Sequence, residues 1–311
     1  MRIVVALGGN ALLKRGEPLT AAAQRRNVLQ AVRSLAEIVD GNEVVVTHGN
    51  GPQIGLLALQ SEAFSSVEPY PLDILGAETQ GMIGYLIEEE LRDCLGSGME
   101  VTTLLTQVVV DPLDPAFKSP TKPVGPVYTQ SKAKRLATEF GWSVAMDGDR
   151  WRRVVPSPEP LRILEINSIR LLLQAGVVVI CSGGGGVPMV PDETGGLRGV
   201  EAVIDKDLSA ALLALSLDDD VLLMLTDVDA VYRDWPEPMS RPIHTATPAE
   251  LRAMDFPIGS MGPKVEAACR FAESVRSHGS TRFACIGALN DVGALLRQDT
   301  GTRVQASFKE P

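Results

Sequence analysis

Histidine and cysteine are scarce in this chain of 311 residues. The histidines are His48, His244 and His278, and none of them falls into the HxxH or HExxH spacing of zinc sites, so a zinc centre is not expected. The cysteines form no CxxC pair, and we interpret them as reduced core thiols of a cytosolic protein. They are Cys94, Cys181, Cys269 and Cys285.

Positive charge is also in short supply. The chain has 29 Lys and Arg against 39 Asp and Glu, which gives a net charge of -10 and a pI near 4.9. Non-specific nucleic-acid binding needs a basic surface that displaces counterions, so a nucleic-acid partner is not expected. An acidic chain can still bind an anion where a few lysines, arginines and backbone N–H groups converge.

Long apolar runs suited to a membrane are missing as well. The segment MRIVVALGGN has only a short apolar run before its Gly-Gly-Asn, which is too little for a signal peptide. The charge-free segment 171–191 contains four consecutive glycines followed by proline, which oppose a membrane helix and favour a strand that ends in a glycine turn. We therefore expect a cytoplasmic protein without a membrane partner.

Motifs of several enzyme classes do not occur. The dipeptide Gly-Lys is absent, which excludes a Walker A loop, and no HRD, DFG or GxSxG sequence points to a protein kinase or a hydrolase. The run GGGGVP is followed by Pro191 and a polar DETGG stretch rather than by a helix, which argues against a dinucleotide fingerprint.

What is present predicts an α/β fold. Hydrophobic residues make up 45% and charged residues 22% of the chain, as in globular proteins. Short β-branched runs alternate with helix-length stretches such as 20–39, where Thr20 is the expected N-cap. Strands that are apolar on both faces and separated by helices indicate a mostly parallel sheet covered on both sides. The runs are 2–7, 43–48, 101–110, 177–182, 221–226 and 282–287.

This alternation breaks in the Pro-rich segment 111–160. The segment has prolines throughout and one helix-like stretch near 132–139. We interpret it as an inserted lid that projects from the sheet, so that 1–311 form a single domain. The alternative is a long surface excursion without a role.

Three glycine clusters follow predicted strands: Gly8-Gly9-Asn10, Gly49-Asn50-Gly51 and Gly183 to Gly186. Turns at the carboxyl ends of parallel strands line the crevice where ligands bind, and glycine lets the backbone approach an anion closely. A tight strand-to-helix turn explains any one cluster equally well. The three together favour a polyanionic ligand.

Two lysines stand at the starts of predicted helices. Lys206 lies between Asp205 and Asp207 in VIDKDLSAALL, and Lys264 lies in GSMGPKVEAACRF. The first trio is compatible with a solvated surface cluster. A helix start with a lysine also suits a phosphoryl group, and Asp207 is positioned to orient the ammonium. Two such lysines would stabilise the charge on a phosphoryl group during transfer.

The motifs form a familiar set. ALGGNALL, THGNGPQIG, PTKPVGPVY, WRRVVPSPEP, ICSGGGGVP, GVEAVIDKDLSA, LTDVDAVY and GSMGPKVEAA follow one another from residue 6 to 268. Together they resemble the carbamate kinases of the amino acid kinase family. Acetylglutamate kinases, aspartokinases and uridylate kinases typically have lysine two residues before the first Gly-Gly, where this chain has Ala6.

The resemblance implies a three-layer αβα sandwich around a central, largely parallel eight-stranded sheet, with a protruding lid and a homodimeric assembly. It also implies reversible phosphoryl transfer between ATP and carbamate with Mg²⁺, running in the cell from carbamoyl phosphate and ADP toward ATP. Arginine fermentation is the typical setting of such an enzyme.

The resemblance also assigns the site. Lys206 and Lys264 would neutralise the transferred phosphoryl group, with Asp207 holding the lysines, and Lys122 would reach the small substrate from the lid, unless Lys118 or Lys132 does so. The other substrate-binding residues would be Gly8, Gly9, Asn10, Gly49, Asn50, Gly51, Gly183 and Gly184. The nucleotide would lie against Thr226, Asp227, Tyr232, Met261 and Gly262.

Two other functions remain open at this point. One is a nucleotide-binding sensor that has kept the fold without turnover. The other is a kinase of the same fold that phosphorylates another small carboxylate or phosphate acceptor.

Overall fold

The computed structural model describes residues 1–13, 16–64, 69–235, 237, 239–257, 259–274 and 282–307, with only the backbone of Asn10 and Ala11. Strands in this part of the chain are numbered in order. They are β1 (Arg2–Leu7), β2 (Glu43–His48), β3 (Val101–Thr103), β4 (Gln107–Val110), β5 (Lys122–Tyr128), β6 (Val144–Asp147), β7 (Arg150–Val155), β8 (Pro160–Ile163), β9 (Val178–Ile180), β10 (Val187–Pro191), β11 (Leu197–Gly199), β12 (Val221–Thr226), β13 (Val231–Arg233), β14 (Arg241–Ile243), β15 (Thr245–Ala246), β16 (Phe283–Ala288) and β17 (Thr302–Val304).

The helices are numbered in the same way. They are α1 (Gly9–Leu12), α2 (Ala21–Ala36), α3 (Gly51–Phe64), α4 (Leu72–Leu95), α5 (Gln130–Phe140), α6 (Ile166–Gln174), α7 (Lys206–Leu217), α8 (Pro248–Arg252), α9 (Met261–Glu273) and α10 (Val292–Arg297). Among the helices described, none is both long and apolar enough to cross a bilayer.

The predicted α/β fold with a large, mostly parallel sheet is confirmed. Eight strands form this sheet in the order β15-β17-β16-β12-β1-β2-β9-β3, and every pair is parallel except β16 with β17. In the centre, Val4 of β1 pairs with Leu222 of β12 on one side and with Val45 of β2 on the other. Strands β1, β2 and β12 are buried almost throughout because helices cover both faces.

Alternate residues of each central strand feed two separate cores. Ile3 and Val5 of β1 face a cluster that includes Val32 of α2 and Ile87 of α4. Val4 of the same strand faces the opposite cluster, to which α6, α7 and α9 contribute side chains. This two-residue period explains the uninterrupted apolar runs of the sequence and produces the three layers.

Helix α2 is shorter than its apolar pattern predicted. Thr20 is its N-cap and accepts a hydrogen bond from the Ala23 N–H, as expected. The helix ends at Ala36 rather than near Val39. After Ala36 the hydrogen bonds follow the 3-10 pattern, in which an N–H donates to the carbonyl three residues earlier, as from Val39 to Ala36.

The prediction of one strand over 101–110 is wrong. Strand β3 closes the large sheet, whereas β4 belongs to a second sheet of order β11-β10-β4-β8. The chain turns between them at Thr106, whose backbone N–H and carbonyl are both bonded by the side chain of Gln80. The buried Gln80 side chain thus takes the place of a backbone partner for the Thr106 N–H, while the Thr106 carbonyl also accepts from the Val187 N–H.

The Pro-rich segment contains more regular structure than its sequence indicated. Strands β5, β7 and β6 form an antiparallel sheet, and α5 covers it through a small core around Tyr128, Ala133 and Leu136. Helix α5 includes the helix-like stretch predicted near 132–139. Strand β5 meets the body of the protein at α3, where a side chain at Gly55 would lie 3.1 Å from the Gly125 Cα.

Candidate active site

A cavity of about 650 Å³ opens where β1, β2 and β12 end. The strand ends are parallel and adjacent, so the loops that follow them share one edge of the sheet. The cavity brings together most of the predicted site residues. These are Gly8, Gly9, Gly49, Asn50, Gly51, Lys122, Gly184, Lys206, Asp207, Thr226, Asp227, Tyr232, Met261 and Lys264.

Two predicted residues lie outside the cavity lining, and the side chain of a third is outside the described part of the chain. Gly183 and Gly262 are not among the residues that line the cavity. A side chain at Gly183 would lie within 2.4 Å of the His48 ring, and the Gly262 N–H donates to the Pro257 carbonyl. Asn10 belongs to α1, and its side chain lies outside the described residues.

The start of helix α7 is fixed by an aspartate cap. The Asp205 side chain accepts hydrogen bonds from the backbone N–H groups of Asp207 (2.9 Å) and Leu208 (3.4 Å). Aspartate is among the best N-cap residues because it satisfies these unpaired donors. The cap makes Lys206 the first residue of the helix, at its positive end.

Lys206 and Lys264 share one carboxylate. The Lys206 Nζ lies 2.5 Å from Asp207 Oδ1, and the Lys264 Nζ lies 3.0 Å from Asp207 Oδ2. Only 13%, 12% and 5% of the Lys206, Lys264 and Asp207 side chains are exposed. The Asp205 side chain, at 21%, is also mostly covered, so the interpretation of Asp205, Lys206 and Asp207 as a solvated surface cluster is wrong.

Burial and charge act in opposite directions in this cluster. Burial opposes ionisation of Asp207, but the two ammonium charges outweigh it and lower the pKa of this carboxyl to about 2. Burial lowers the pKa of the Lys206 ammonium, although Asp207 opposes that shift. Asp207 is consequently a permanent anion at neutral pH that fixes both lysines.

Lys122 reaches the cavity from β5. Its Nζ lies 2.9 Å from Asp205 Oδ2, so the same carboxylate caps α7 and binds Lys122. Lys132 instead lies over the Tyr128 ring, 5.0 Å from its centroid, and 3.9 Å from Glu62. Of Lys118, Lys122 and Lys132, only Lys122 lines the cavity.

The glycine turns are closely packed against one another. A side chain at Gly8 would lie 2.9 Å from the Leu225 carbonyl oxygen, and one at Gly49 would lie 3.0 Å from the Gly9 nitrogen. The Gly8 N–H donates to the Leu225 carbonyl and the Gly49 N–H to the Leu7 carbonyl. The Gly8 and Gly49 N–H groups therefore extend the sheet and do not serve as ligand donors, although both residues line the cavity.

A buried histidine stands behind these turns. Burial lowers the pKa of His48 to about 4, and the nearby Lys206 charge adds to the effect, so the ring is neutral at pH 7. Its Nδ1 lies 3.1 Å from the Gly49 carbonyl oxygen. Its ring occupies the space that any side chain at Gly183 would need.

The opposite part of the cavity is aromatic and exposed. Tyr232 donates a hydrogen bond to Asp229, and its ring centroid lies 5.7 Å from that of Trp235. Trp235 lines the cavity and is 59% exposed. Sequence reasoning missed Trp235, although a tryptophan three residues after a predicted nucleotide contact was a usable signal. It also gave Asp205 no separate role, although its position before the helix indicated a cap.

The donor groups do not form an all-protein metal site. Within the described ranges, no cluster of three or more His, Cys, Asp or Glu side chains is arranged to hold a metal ion. Asp205 and Asp207 are already engaged with lysines.

Known proteins are similar to this chain in both sequence and structure. Residues 1–278 match the amino acid kinase family. A carbamate kinase of Haemophilus influenzae is 54% identical over 304 residues, which cover 98% of this chain and 96% of that protein. A carbamate kinase of Rhizobium meliloti is 52% identical, over 100% of this chain and 95% of its own. The solved carbamate kinase of Giardia lamblia bound to AMP-PNP is 39% identical with a TM-score of 0.88, over 98% of each chain.

The family match and these relatives identify an ATP-dependent phosphotransferase, a class that suits an αβα sandwich with two lysines from helix starts at its ligand cavity. The chain belongs to the amino acid kinase family, and the resemblance to the carbamate kinases that its motifs indicated is confirmed.

Proposed function

We propose that the protein is a carbamate kinase that catalyses ATP + carbamate = ADP + carbamoyl phosphate, and that in the cell it forms ATP from carbamoyl phosphate. The observation that carries the proposal is the pair of lysine ammonium groups held 2.5 and 3.0 Å from one buried carboxylate at the edge of the sheet. The high identity to carbamate kinases over the whole chain supports the choice of substrate.

The lysine pair suits phosphoryl transfer. Each ammonium has three N–H donors and gives one to Asp207, so further donors remain for phosphoryl oxygens. In the transition state charge spreads over the three equatorial oxygens while the attacking and leaving oxygens lie in line. Ammonium groups that are already fixed stabilise this charge without reorganisation.

We assign the two ends of the cavity to the two substrates. The carbamoyl end lies at the turns that contain Gly9, Asn50 and Gly51, where α3 begins and its positive end faces the ligand. The nucleotide lies toward Thr226, Tyr232 and Met261, with Trp235 available to contact the base. Asp227 lies in the same region and Gly184 lies on the phosphate path, whereas Gly183 and Gly262 support these turns from outside the cavity. Mg²⁺ accompanies the nucleotide phosphates.

Segment 111–160 acts as the lid in this proposal. Lys122 is the lid lysine, because its ammonium already lies at the cavity, next to the start of α7. A phosphate that replaces Asp205 as its partner would draw β5 toward the site.

Assembly and location complete the proposal. We propose a homodimer, for which the exposed apolar side chains of α3 and α4, such as Leu59, Ile74 and Tyr85, are suitable contacts. We propose a cytoplasmic location, in keeping with the four free cysteines.

The direct test is ATP formation from carbamoyl phosphate, ADP and Mg²⁺, measured in a coupled assay. ATP above the non-enzymatic rate is expected. Nucleotide binding without turnover would identify a sensor instead. Turnover with another acceptor from ATP, and none with carbamoyl phosphate, would change the substrate.

A substitution of Lys122 tests whether this residue is the lid lysine. Lys122→Ala should raise the KM for carbamoyl phosphate at least about tenfold, the usual effect of losing a charged hydrogen-bond donor, and leave the KM for ADP unchanged. Lys132→Ala is the matched control and should behave as wild type. Equal weakening of both substrates by Lys122→Ala would assign Lys122 to the nucleotide site.

A further inference from the structure

Helix α4 presents two buried polar side chains toward two turns of the candidate site, one at 49–51 and one at 183–186. Thr79 and Gln80 are 0% and 2% exposed, although neither lines the cavity. Burying polar groups is costly unless they are hydrogen-bonded, so their partners indicate what they do.

Gln80 holds one of the turns. Its side-chain amide donates to the Thr106 carbonyl (3.0 Å) and accepts from the Thr106 N–H (2.9 Å). The Thr106 hydroxyl in turn accepts from the Ser182 N–H at 3.0 Å. Ser182 has a φ of 51°, a left-handed conformation that is uncommon outside glycine, and it leads directly into Gly183 and Gly184. The chain from Gln80 through Thr106 thus supports a strained entry into the glycine turn.

Thr79 holds the other turn. Its hydroxyl donates to the Gly76 carbonyl (2.7 Å), so toward Asn50 it acts as an acceptor, and the Asn50 side-chain amide donates to it at 2.8 Å. A side chain at Gly184 would lie only 2.1 Å from the Asn50 amide nitrogen. The two turns therefore touch through the Asn50 amide, whose orientation Thr79 sets.

We propose that Thr79 and Gln80 are positioning residues that fix the separation of the two phosphate-binding turns, Thr79 through Asn50 and Gln80 through Thr106. This inference rests on the proposed kinase function. The spacing matters most when the phosphoryl group is midway between donor and acceptor, because small displacements there reduce the rate strongly.

Thr79→Val tests the proposal, since valine keeps the shape and removes the acceptor. We expect kcat with carbamoyl phosphate and ADP to fall about tenfold to a hundredfold, as for a misplaced catalytic group, while the KM for ADP is unchanged. Thr79→Ser should restore most of the rate. Thr103→Val is the matched control: this threonine packs against Gly84 of α4, and its hydroxyl makes no hydrogen bond within the described ranges.

Coupling to Asn50 distinguishes positioning from a purely structural role. If Thr79 acts through Asn50, the double variant Thr79→Val with Asn50→Ala turns over as slowly as Asn50→Ala alone. The proposal would be overturned if the losses in kcat of the two single variants multiply in the double variant. It would also be overturned if the rate of Thr79→Val lies within about twofold of wild type. Gln80→Met tests the second positioning residue, and its kcat should fall in the same way. ADP binding measured by calorimetry checks that this variant is folded. Inactive wild-type protein would count against the kinase function instead.

Discussion

Replacing Asp207 with asparagine removes the negative charge that Lys206 and Lys264 share. At an effective dielectric constant of about 20, charges this close attract by about 6 kcal/mol per pair, and the cost of burial offsets much of that. The pKa of Asp207, lowered to about 2, corresponds to a net gain of about 2–3 kcal/mol. Removing one partner of a buried pair costs about 3–5 kcal/mol, so we expect a loss of about 3 kcal/mol in unfolding free energy for Asp207→Asn.

The pH dependence of this loss has a definite sign. The folded pKa of Asp207 lies below its unfolded value, so its contribution is present above pH 4 and disappears as the pH falls toward 2. Asparagine lacks this contribution at every pH. The stability gap between wild type and Asp207→Asn should therefore be widest near neutral pH and shrink below pH 4.

Urea unfolding at pH 7, with thermal unfolding between pH 7 and pH 3, measures this gap. Asp147→Asn is the control, because its pair with Arg152 is exposed and should contribute less than about 1 kcal/mol. In the coupled assay Asp207→Asn should lose about a hundredfold in kcat as the lysines lose their common anchor, while ADP binding is not weakened. Unchanged stability at pH 7, or a gap that widens in acid, would refute the reasoning.

Three further predictions concern other parts of the molecule. Gly184→Ala should abolish most activity, because the φ of Gly184 is 66° and the new methyl group would displace Asn50. Gly195→Ala is the control: Gly195 has a φ of 83° in open space, so the variant should lose only about 1–2 kcal/mol of stability and no activity. The measurements are kcat and the midpoint of urea unfolding. Asp219 is fully buried, and burial raises its pKa to about 8, so the stability of the wild type should fall as the pH rises from 4 to 8. In thermal unfolding at pH 8.5, Asp219→Asn should be more stable than the wild type, and a less stable variant would contradict this. Only Cys94 should react with a thiol reagent in the native protein, with activity retained, and loss of activity upon labelling would be unexpected.

The sequence predicted the strand ends and their glycine turns because both depend on local pattern. An apolar run followed by Gly-Gly or Gly-Asn-Gly identifies the end of a buried parallel strand, as at Gly8 and Gly49. The motifs of the family added Lys122, which no local pattern distinguishes from Lys118 and Lys132.

Other features depend on contacts between distant segments. That Lys264 binds the carboxylate of Asp207, 57 residues earlier in the chain, requires α7 and α9 to pack side by side. The break at Thr106 within an apolar run results from the Gln80 side chain, which no pattern in 101–110 announces. Gly183, which looks like a ligand contact in the sequence, lacks a side chain because His48 fills that space.

The lysines of the cavity bear on how an anionic substrate finds it. Charged residues along the cavity wall are Lys122, Lys206 and Lys264 against Asp205, Asp207, Asp227 and Asp255, which gives 3 minus 4, or -1. With a chain charge of -10, no long-range field draws an anion toward this opening. Recognition instead happens at contact, by exchange of a carboxylate partner for a phosphoryl oxygen. The association rate of carbamoyl phosphate should therefore not fall as the ionic strength rises, unlike that of enzymes that attract their substrates electrostatically, because salt here screens a repulsion.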